Sequence, residues 1–492
     1  MPPPLILVVD EGTTSTRAAL FTPAGACLGS EQRELAQHYP RPGWVEHDAE
    51  EIWEKSLACA RAMVERAGGA GRIAALGIAN QRETIVFWDR RTGRALAPAI
   101  VWQDRRTAEL CAGLKDKGHE AGLQERTGLL LDPYFSASKI AWAMANWPQL
   151  EQAGDSLAFG TVESWLVWRL TGGLHVSDAT NASRTALMDI RTGLWDGALL
   201  DLFDVPSRSL PEIVDCAGRF GAVDSELLGG AVPIAGMAGD QQAAAIGQAC
   251  LAPGDTKATY GTGAFVLTHS GEHAPVSRHR LLTTIAWQLG SKPAYALEGS
   301  VFVAGSLIQW LRDGLGLIAA SGETADLARE AGHNGGVYLV PALSGLGAPH
   351  WRPEARAAIS GLSFSTGRAQ VVRSALEAMA HQTHDLMSAF ASDGARWERL
   401  KIDGGMAAND WLAQDLADLL DLPVERPAFV ETTALGAAML AGVGAGLFGS
   451  LEEAAASMRG DVERFEPAMA SEAREERLAG WQKAVENVLR GA

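Results

Sequence analysis

Several short stretches of this chain carry residue types and spacings able to act on a phosphorylated substrate. Leu5–Arg17 reads L-I-L-V-V-D-E-G-T-T-S-T-R: an apolar run ending in Asp10, then Gly12, four consecutive hydroxyl side chains and Arg17. Such a tip suits a phosphate chain. Gly12 lets the backbone come close, N–H groups and the hydroxyls of Thr13, Thr14 and Ser15 donate to phosphoryl oxygens, and Arg17 adds fixed positive charge. Asp10, at the strand end, is placed to hold a hydrated Mg²⁺. The plainer alternative is a polar hairpin tip. Asn80-Gln81-Arg82-Glu83 sets four polar residues where another apolar run ends, as a surface ion pair or as part of a site. Gly239-Asp240-Gln241-Gln242 follows the same logic, with Asp240 either a helix cap or an unshielded carboxylate at the end of an apolar segment. Gly261-Thr262-Gly263 and Asp403-Gly404-Gly405 are further glycine turns after apolar runs.

The elements that must position these residues follow from periodicity. Leu5–Val9 and Ala18–Phe21 form a hairpin, and Cys27–Leu35 adds a strand. Asp48 caps a helix whose apolar positions Ile52, Trp53, Leu57, Ala60, Met63 and Val64 keep the helical period. Ile73–Ala79 and Thr84–Trp88 read as strands on either side of the Asn80–Glu83 cluster. Trp102 ends an apolar segment, and Asp132-Pro133-Tyr134-Phe135 puts two aromatics in a turn before a helix over Ser138–Trp147; isolated aromatics of this kind are commonly core. Gly160–Leu170 and Asp178–Asp189 supply more helix and loop, and Gln242–Cys250 a further helix. The second half restarts with strands at Thr256–Tyr260 and Ala264–Thr268, and a hairpin at Leu281–Gln288 and Ala294–Glu298. A helix over Val301–Arg312 then places Gly305 and Gln309 on one face, and Leu400–Ile402 leads into Asp403 and a helix carrying Asn409. The recurring strand and glycine turn describe a duplicated α/β unit with a nucleotide held between the copies.

At 492 residues the chain is too long for one core and is expected to form two domains, 1–250 and 251–492. Its formal net charge of -17 argues against nucleic acid or an acidic membrane as partner. Five widely spaced cysteines lack metal-ligand pairing and fit a reducing cytoplasm. The opening Met-Pro-Pro-Pro lacks the basic region of a signal peptide, and Ala434–Phe448 is too short for a membrane span. Gly444-x-Gly446-x-x-Gly449 follows a helical pattern and reads as a helix end, and no G-x-x-x-x-G-K-[ST] motif occurs. His381-x-x-His384 reads as a solvated helix face, and His269 and His273 as polar loop residues.

Taken together, Asp10–Arg17, Pro42-Gly-Trp-Val-Glu-His-Asp48, Asn80-Gln-Arg-Glu-Thr84, Ile100-Val-Trp-Gln103, Asp132–Phe135, Asn181-Ala-Ser-Arg-Thr185, Gly239–Gln242, Tyr260–Gly263, Gln309-Trp-Leu-Arg312 and Asp403–Gly405 resemble the FGGY family of carbohydrate kinases. Asn80–Thr84 with Asp132–Phe135 resembles the glycerol-phosphorylating branch, because the sugar kinases of the family carry other residues there. The resemblance implies an α/β fold of two actin-like (ribonuclease H-like) domains, with ATP and acceptor in the interdomain cleft. It assigns Arg82, Glu83, Tyr134, Asp240 and Gln241 to glycerol, and Trp102 and Phe265 to its carbon side. Thr13, Thr14, Ser15, Arg17 and Thr262 fall to the phosphates, and Gly305, Gln309, Gly405 and Asn409 to the adenosine. Asp240 is the best-placed general base, Mg²⁺ is the implied ion near Asp10, and a homodimer or homotetramer is the implied assembly. Competing readings are a kinase for a neighbouring polyol or sugar, and a non-catalytic actin-type switch ATPase. Glu11 departs from the family's usual Gln, with a role in metal binding or phosphate repulsion open. Leu227–Pro233 lacks the basic residues with which some members bind a sugar bisphosphate.

Overall fold

The computed structural model describes residues 4–352, 354–429 and 431–491. The opening Met1–Pro3 therefore lies outside the described residues.

Leu5–Glu11 shows how the sequence builds the first sheet. The strand is apolar from Leu5 to Val9 because both its faces are covered there, and its carboxylates Asp10 and Glu11 come at the end. Leu5, Leu7 and Val9 face the helix Ala49–Ala67, while Ile6 and Val8 face the alanine-rich helix Thr432–Gly444. Asp48 accepts from the Glu50 N–H at the start of the first of these helices, and Gly68 in the left-handed conformation ends it.

Two large sheets share one plan. The first runs Cys27–Glu34, Ser15–Phe21, Leu5–Glu11, Ile73–Asn80, Pro233–Gly239, Ala217–Ala222. The second runs Lys292–Val301, Ala264–Gly271, Thr256–Tyr260, Leu400–Asp403, Val424–Pro427, Val462–Phe465, with Leu282–Leu289 added beyond its first strand. The senses match position by position. Strands one to three are mutually antiparallel, three to five run parallel, and the sixth is antiparallel again. The duplication expected from the glycine turns is thus present as topology. Between Ile73–Asn80 and Pro233–Gly239 the first unit inserts four strands of a smaller five-stranded sheet around Ile85–Asp89, whose fifth strand is Glu46–His47.

The helix Asp240–Gly247 continues from the first sheet and meets Thr432–Gly444 backbone to backbone. A Cβ at Gly247 would stand 2.0 Å from the Thr432 carbonyl oxygen, and one at Gly436 1.8 Å from that of Ala243. Only glycine allows so close a crossing.

Several expectations need correcting. The helix expected from Val301 starts at Gly305, because Val301 completes the strand Lys292–Val301 by pairing with Ala264. The helices expected over Ser138–Trp147 and Gln242–Cys250 span Ser136–Asn146 and Asp240–Gly247. Leu157–Thr161 is a strand, so Gly160 belongs to a sheet. His269 lies in the strand Ala264–Gly271 with its ring 4.7 Å from that of Trp287. His381 is buried, stacked 4.9 Å from Trp481 at 7°, because the carboxy-terminal helix covers that face. No helix among the described residues is long and apolar enough to cross a membrane, and all five cysteines are free thiols.

Candidate active site

The strand Ile73–Asn80 ends beside Leu5–Glu11, so the cluster after it emerges next to the first glycine turn. Gln81 ties the two together. Its N–H donates to the Glu11 carbonyl at 2.7 Å, and its side-chain amide donates to the Gly12 carbonyl at 2.9 Å. Glu83 then takes a φ of 63° while the Thr84 N–H reaches back to the Arg82 carbonyl at 2.7 Å. A non-glycine residue in that region costs about 1–3 kcal/mol and persists only when its surroundings hold it. Ser136 does so, donating its hydroxyl to the Glu83 carbonyl at 2.9 Å.

Four charges close on one another there, all with side chains at most 2% exposed. Arg82 donates to both carboxylate oxygens of Glu298 at 2.6 and 3.1 Å. Arg184 donates to Glu83 at 2.6 Å and to Glu298 at 3.0 Å. Burial alone would raise the Glu298 pKa, but Arg184 and Arg82 overrule it and hold the group at about 2. Burial wins at Glu83, whose pKa is raised: Arg184 bonds it, but Arg82 stands 4.0 Å away and Glu298 repels it. Arg82 also points Nε at Asp240, 3.3 Å away, and an Nη at the Tyr134 hydroxyl, 3.4 Å away. Gly239 makes room, since a Cβ there would come within 2.6 Å of the Arg82 side chain.

Asp240 opens its helix and accepts from the Gln241 N–H at 2.6 Å. A third of its side chain remains exposed, yet desolvation in the cleft raises its pKa against the pull of Arg82 and Lys257. Lys257, fully buried on the second sheet, donates to the Gln241 side-chain oxygen and to Thr259 at 2.7 Å. The aromatic wall completes this side: Trp102 stands edge-on to Tyr134 at 5.6 Å and to Phe265 at 6.2 Å. Its indole N–H donates to the Thr13 hydroxyl at 2.9 Å, which joins the wall to the first glycine turn. Arg82, Glu83, Trp102, Tyr134, Asp240, Gln241 and Phe265 therefore form one constellation.

The turn itself is closed by the Gly12 N–H donating to the Ser15 carbonyl at 2.9 Å. Thr14 is exposed, Ser15 accepts from Gln32 at 2.9 Å, and Arg17 donates to Gln32 at 2.9 Å while pairing with Glu431 of the second half. Asp10 has its pKa raised to about 7 by desolvation, opposed by Arg17 and reinforced by Asp240 and Glu431. No group of three or more candidate metal ligands occurs among the described residues. A lone carboxylate with open positions fits Mg²⁺, which takes its other ligands from water and phosphate oxygens, and fits no all-protein metal cage. Glu11 takes no part: it is buried beneath the strand, accepts from the Ser56 hydroxyl at 2.6 Å, and desolvation raises its pKa to about 8. Burial thus favours its neutral form, which is closer in charge to the family's usual Gln.

On the second lobe a cavity of about 290 Å³ is lined by Gly261, Thr262, Gly305, Ile308, Gln309, Arg312, Ser321, Gly405 and Met406, with Tyr260 at its base. The Gly305 N–H donates to the Gly261 carbonyl at 2.8 Å, and a Cβ at Gly305 would meet that oxygen at 2.5 Å. Asn409 is not among the lining residues. It accepts from the Leu412 N–H at 3.2 Å as a helix cap and donates to Thr324 at 3.2 Å.

Sequence reasoning gave no role to Arg184, Glu298, Lys257 or Lys139. Arg184 sits in the quoted Asn181–Thr185 motif, and Glu298 and Lys257 are single charges in otherwise buried strands, which was the available signal.

Models of the N-terminal and C-terminal domains of the FGGY family of carbohydrate kinases match residues 5–247 and 256–445. The chain is 55% identical to glycerol kinase of Methylobacterium nodulans over 489 residues, covering 98% of this chain and 97% of that protein. It is 54% identical to glycerol kinase of Alcanivorax borkumensis, covering 99% and 98%. Among solved structures, Plasmodium falciparum glycerol kinase with ADP superimposes with a TM-score of 0.93 at 37% identity, covering 99% and 98%. A xylulose kinase from Rhodospirillum rubrum shares the fold at a TM-score of 0.87 and 23% identity.

Proposed function

The chain belongs to the FGGY family of carbohydrate kinases, and on that premise we propose that it transfers the γ-phosphoryl group of ATP to glycerol, giving sn-glycerol 3-phosphate. The observation that carries this reading is the meeting of Arg82, Asp240 and Tyr134, with the wall beside them bonded through Trp102 to the phosphate turn. The names of the similar glycerol kinases support it.

A triol offers every hydroxyl as donor and acceptor, so Glu83, Asp240 and the Gln241 carbonyl accept while Arg82 and Tyr134 donate. Trp102 and Phe265 cover its C–H face. An analogue lacking a hydroxyl leaves buried polar groups unpaired and is disfavoured. Asp240 takes the proton of the attacking hydroxyl. Desolvation raises its pKa towards the range in which a general base works best, and Arg82 and Lys257 pull the other way, favouring the carboxylate. Thr13, Thr14, Ser15 and Arg17 face Thr262 across the phosphates, with Arg17 exchanging Glu431 for phosphate when ATP enters. Gly305, Gln309 and Gly405 frame the adenosine, and Asn409 holds the helix behind them. Asp10 holds Mg²⁺ through water, and the ion when bound neutralises charge on the transferring phosphoryl group.

The same proposal divides the chain into an acceptor and phosphate lobe, 1–250, and an adenosine lobe, 251–492, with the helix Thr432–Gly444 reaching back across the division. It places the enzyme in the cytoplasm, where its five thiols stay reduced, as a homodimer or homotetramer.

Coupled ADP release over a panel of polyols and sugars tests the reaction. Glycerol gives the highest kcat/KM. Fastest turnover with erythritol, dihydroxyacetone, a pentulose or gluconate transfers the protein to another branch, and ATP hydrolysis indifferent to every polyol makes it a switch ATPase.

A further inference from the structure

We propose that Lys139 is the positioning residue of the acceptor site: its buried ammonium group fixes the Pro133–Phe135 turn and so sets where Tyr134 stands against the polyol. The inference rests on the acceptor role given to Tyr134 above.

Lys139 lies one turn into the helix Ser136–Asn146 and is 0% exposed. Its Nζ donates to three successive carbonyl oxygens, at 2.7 Å to Pro133, 2.5 Å to Tyr134 and 3.3 Å to Phe135. An ammonium group has three N–H bonds, and here each has its own acceptor. Among the described residues no carboxylate comes within ion-pair distance of it. Burying a cation without a counter-ion is costly, and carbonyl dipoles compensate for only part of that. Desolvation accordingly lowers its pKa to about 8, against the pull of Glu83, Asp104, Asp132 and Cys111. A core lysine used merely to fill space would do so more cheaply as methionine.

What the charge secures is local. The three carbonyls immediately precede the helix; that of Phe135 also accepts from the Ser138 hydroxyl at 3.5 Å, but Lys139 is the group bonded to all three, so without it they lack a common anchor. Tyr134, on the central peptide of the three, has its ring 5.6 Å from that of Trp102, the Arg184 guanidinium 5.6 Å from its centroid, and its hydroxyl 3.4 Å from Arg82. A shift of this turn therefore moves a hydroxyl partner and the aromatic wall together. The same helix pins the other acceptor turn through Ser136 and the Glu83 carbonyl. Its first turn is the platform on which both halves of the polyol site stand.

The test is a double-mutant cycle between Lys139→Met and Tyr134→Ala, with KM measured for both substrates and the polyol being the best acceptor of the panel. Lys139→Met alone raises the polyol KM about ten-fold or more while the ATP KM moves less than about two-fold. In the Tyr134→Ala background the same change adds less than about two-fold, because its target is gone. An unchanged polyol KM, or an equal rise in both backgrounds, overturns the role. A thermal melt is run on each variant. Should Lys139→Met fail to melt cooperatively, Lys139→Gln, whose amide still donates to two carbonyls, is read by the same criteria. A wild-type enzyme inactive on every polyol defeats the kinase reading itself, an outcome distinct from insensitivity to Lys139.

Discussion

The two halves of the active site are built on opposite principles. The proposed acceptor side holds Arg82, Arg184, Glu83 and Glu298 buried against one another, around a backbone turn kept at a φ of 63°. The proposed nucleotide side is a cavity of about 290 Å³ made largely of glycine turns and neutral side chains, with Thr14 and Thr262 exposed. A small polyol has few atoms with which to declare itself, so its site must be rigid before it arrives. A nucleotide brings charge and area of its own, and close backbone approach is enough.

The contrast is sharpest in the chemistry. Asp240→Asn removes the proposed base, and kcat falls about 10²–10⁴-fold while the dissociation constants for ATP and glycerol hold, read by single-turnover kinetics and calorimetry. Unchanged turnover strikes Asp240 from that role. Next in size, Glu298→Gln leaves two buried arginines short of a counter-charge and lowers unfolding stability by about 3–5 kcal/mol in denaturant titrations. Arg312→Gln on the nucleotide side, whose partner is the exposed Asp313, leaves the unfolding midpoint where it was. Similar losses at both sites would erase the distinction. Gly305→Ala crowds the Gly261 carbonyl and raises the ATP KM about ten-fold, with glycerol affinity unaffected in the same assays. A last effect is confined to acid. Glu298 titrates at about 2 instead of 4.5, so its folded-state pKa is depressed. Its contribution is complete above about pH 4.5 and is lost as pH falls towards 2. Acid unfolding of the wild type and Glu298→Gln therefore converges at the bottom of that window. A stability gap that persists below pH 2 contradicts the ion cluster.

The uneven legibility of the sequence has the same origin. Glycine turns after apolar runs are local, so Asp10–Arg17, Gly261–Gly263 and Asp403–Gly405 could be read where they stand. The acceptor residues came from the resemblance, and their mutual contacts did not follow from any local pattern. Arg82 meets Glu298 across 216 positions and Arg184 meets it across 114, separations at which a single charged residue in a buried strand gives no hint of its partner. The sequence around Lys139 does not show that it is buried, because a lysine in a short helix is ordinarily a solvated one. His381 was misjudged for a related reason, since helical spacing reveals which residues share a face but not that Trp481 covers it. The duplication was faint because the two units share strand order and sense while their side chains differ.

The glycine crossing of Asp240–Gly247 and Thr432–Gly444 has a mechanical consequence. Two helices that touch through bare backbone leave no side chain to yield between them, so main-chain contact alone sets their spacing. Asp240 begins one of the two, so that spacing also sets where its carboxylate stands. A single methyl group at position 247 or 436 would wedge the pair apart and displace that carboxylate from a distance.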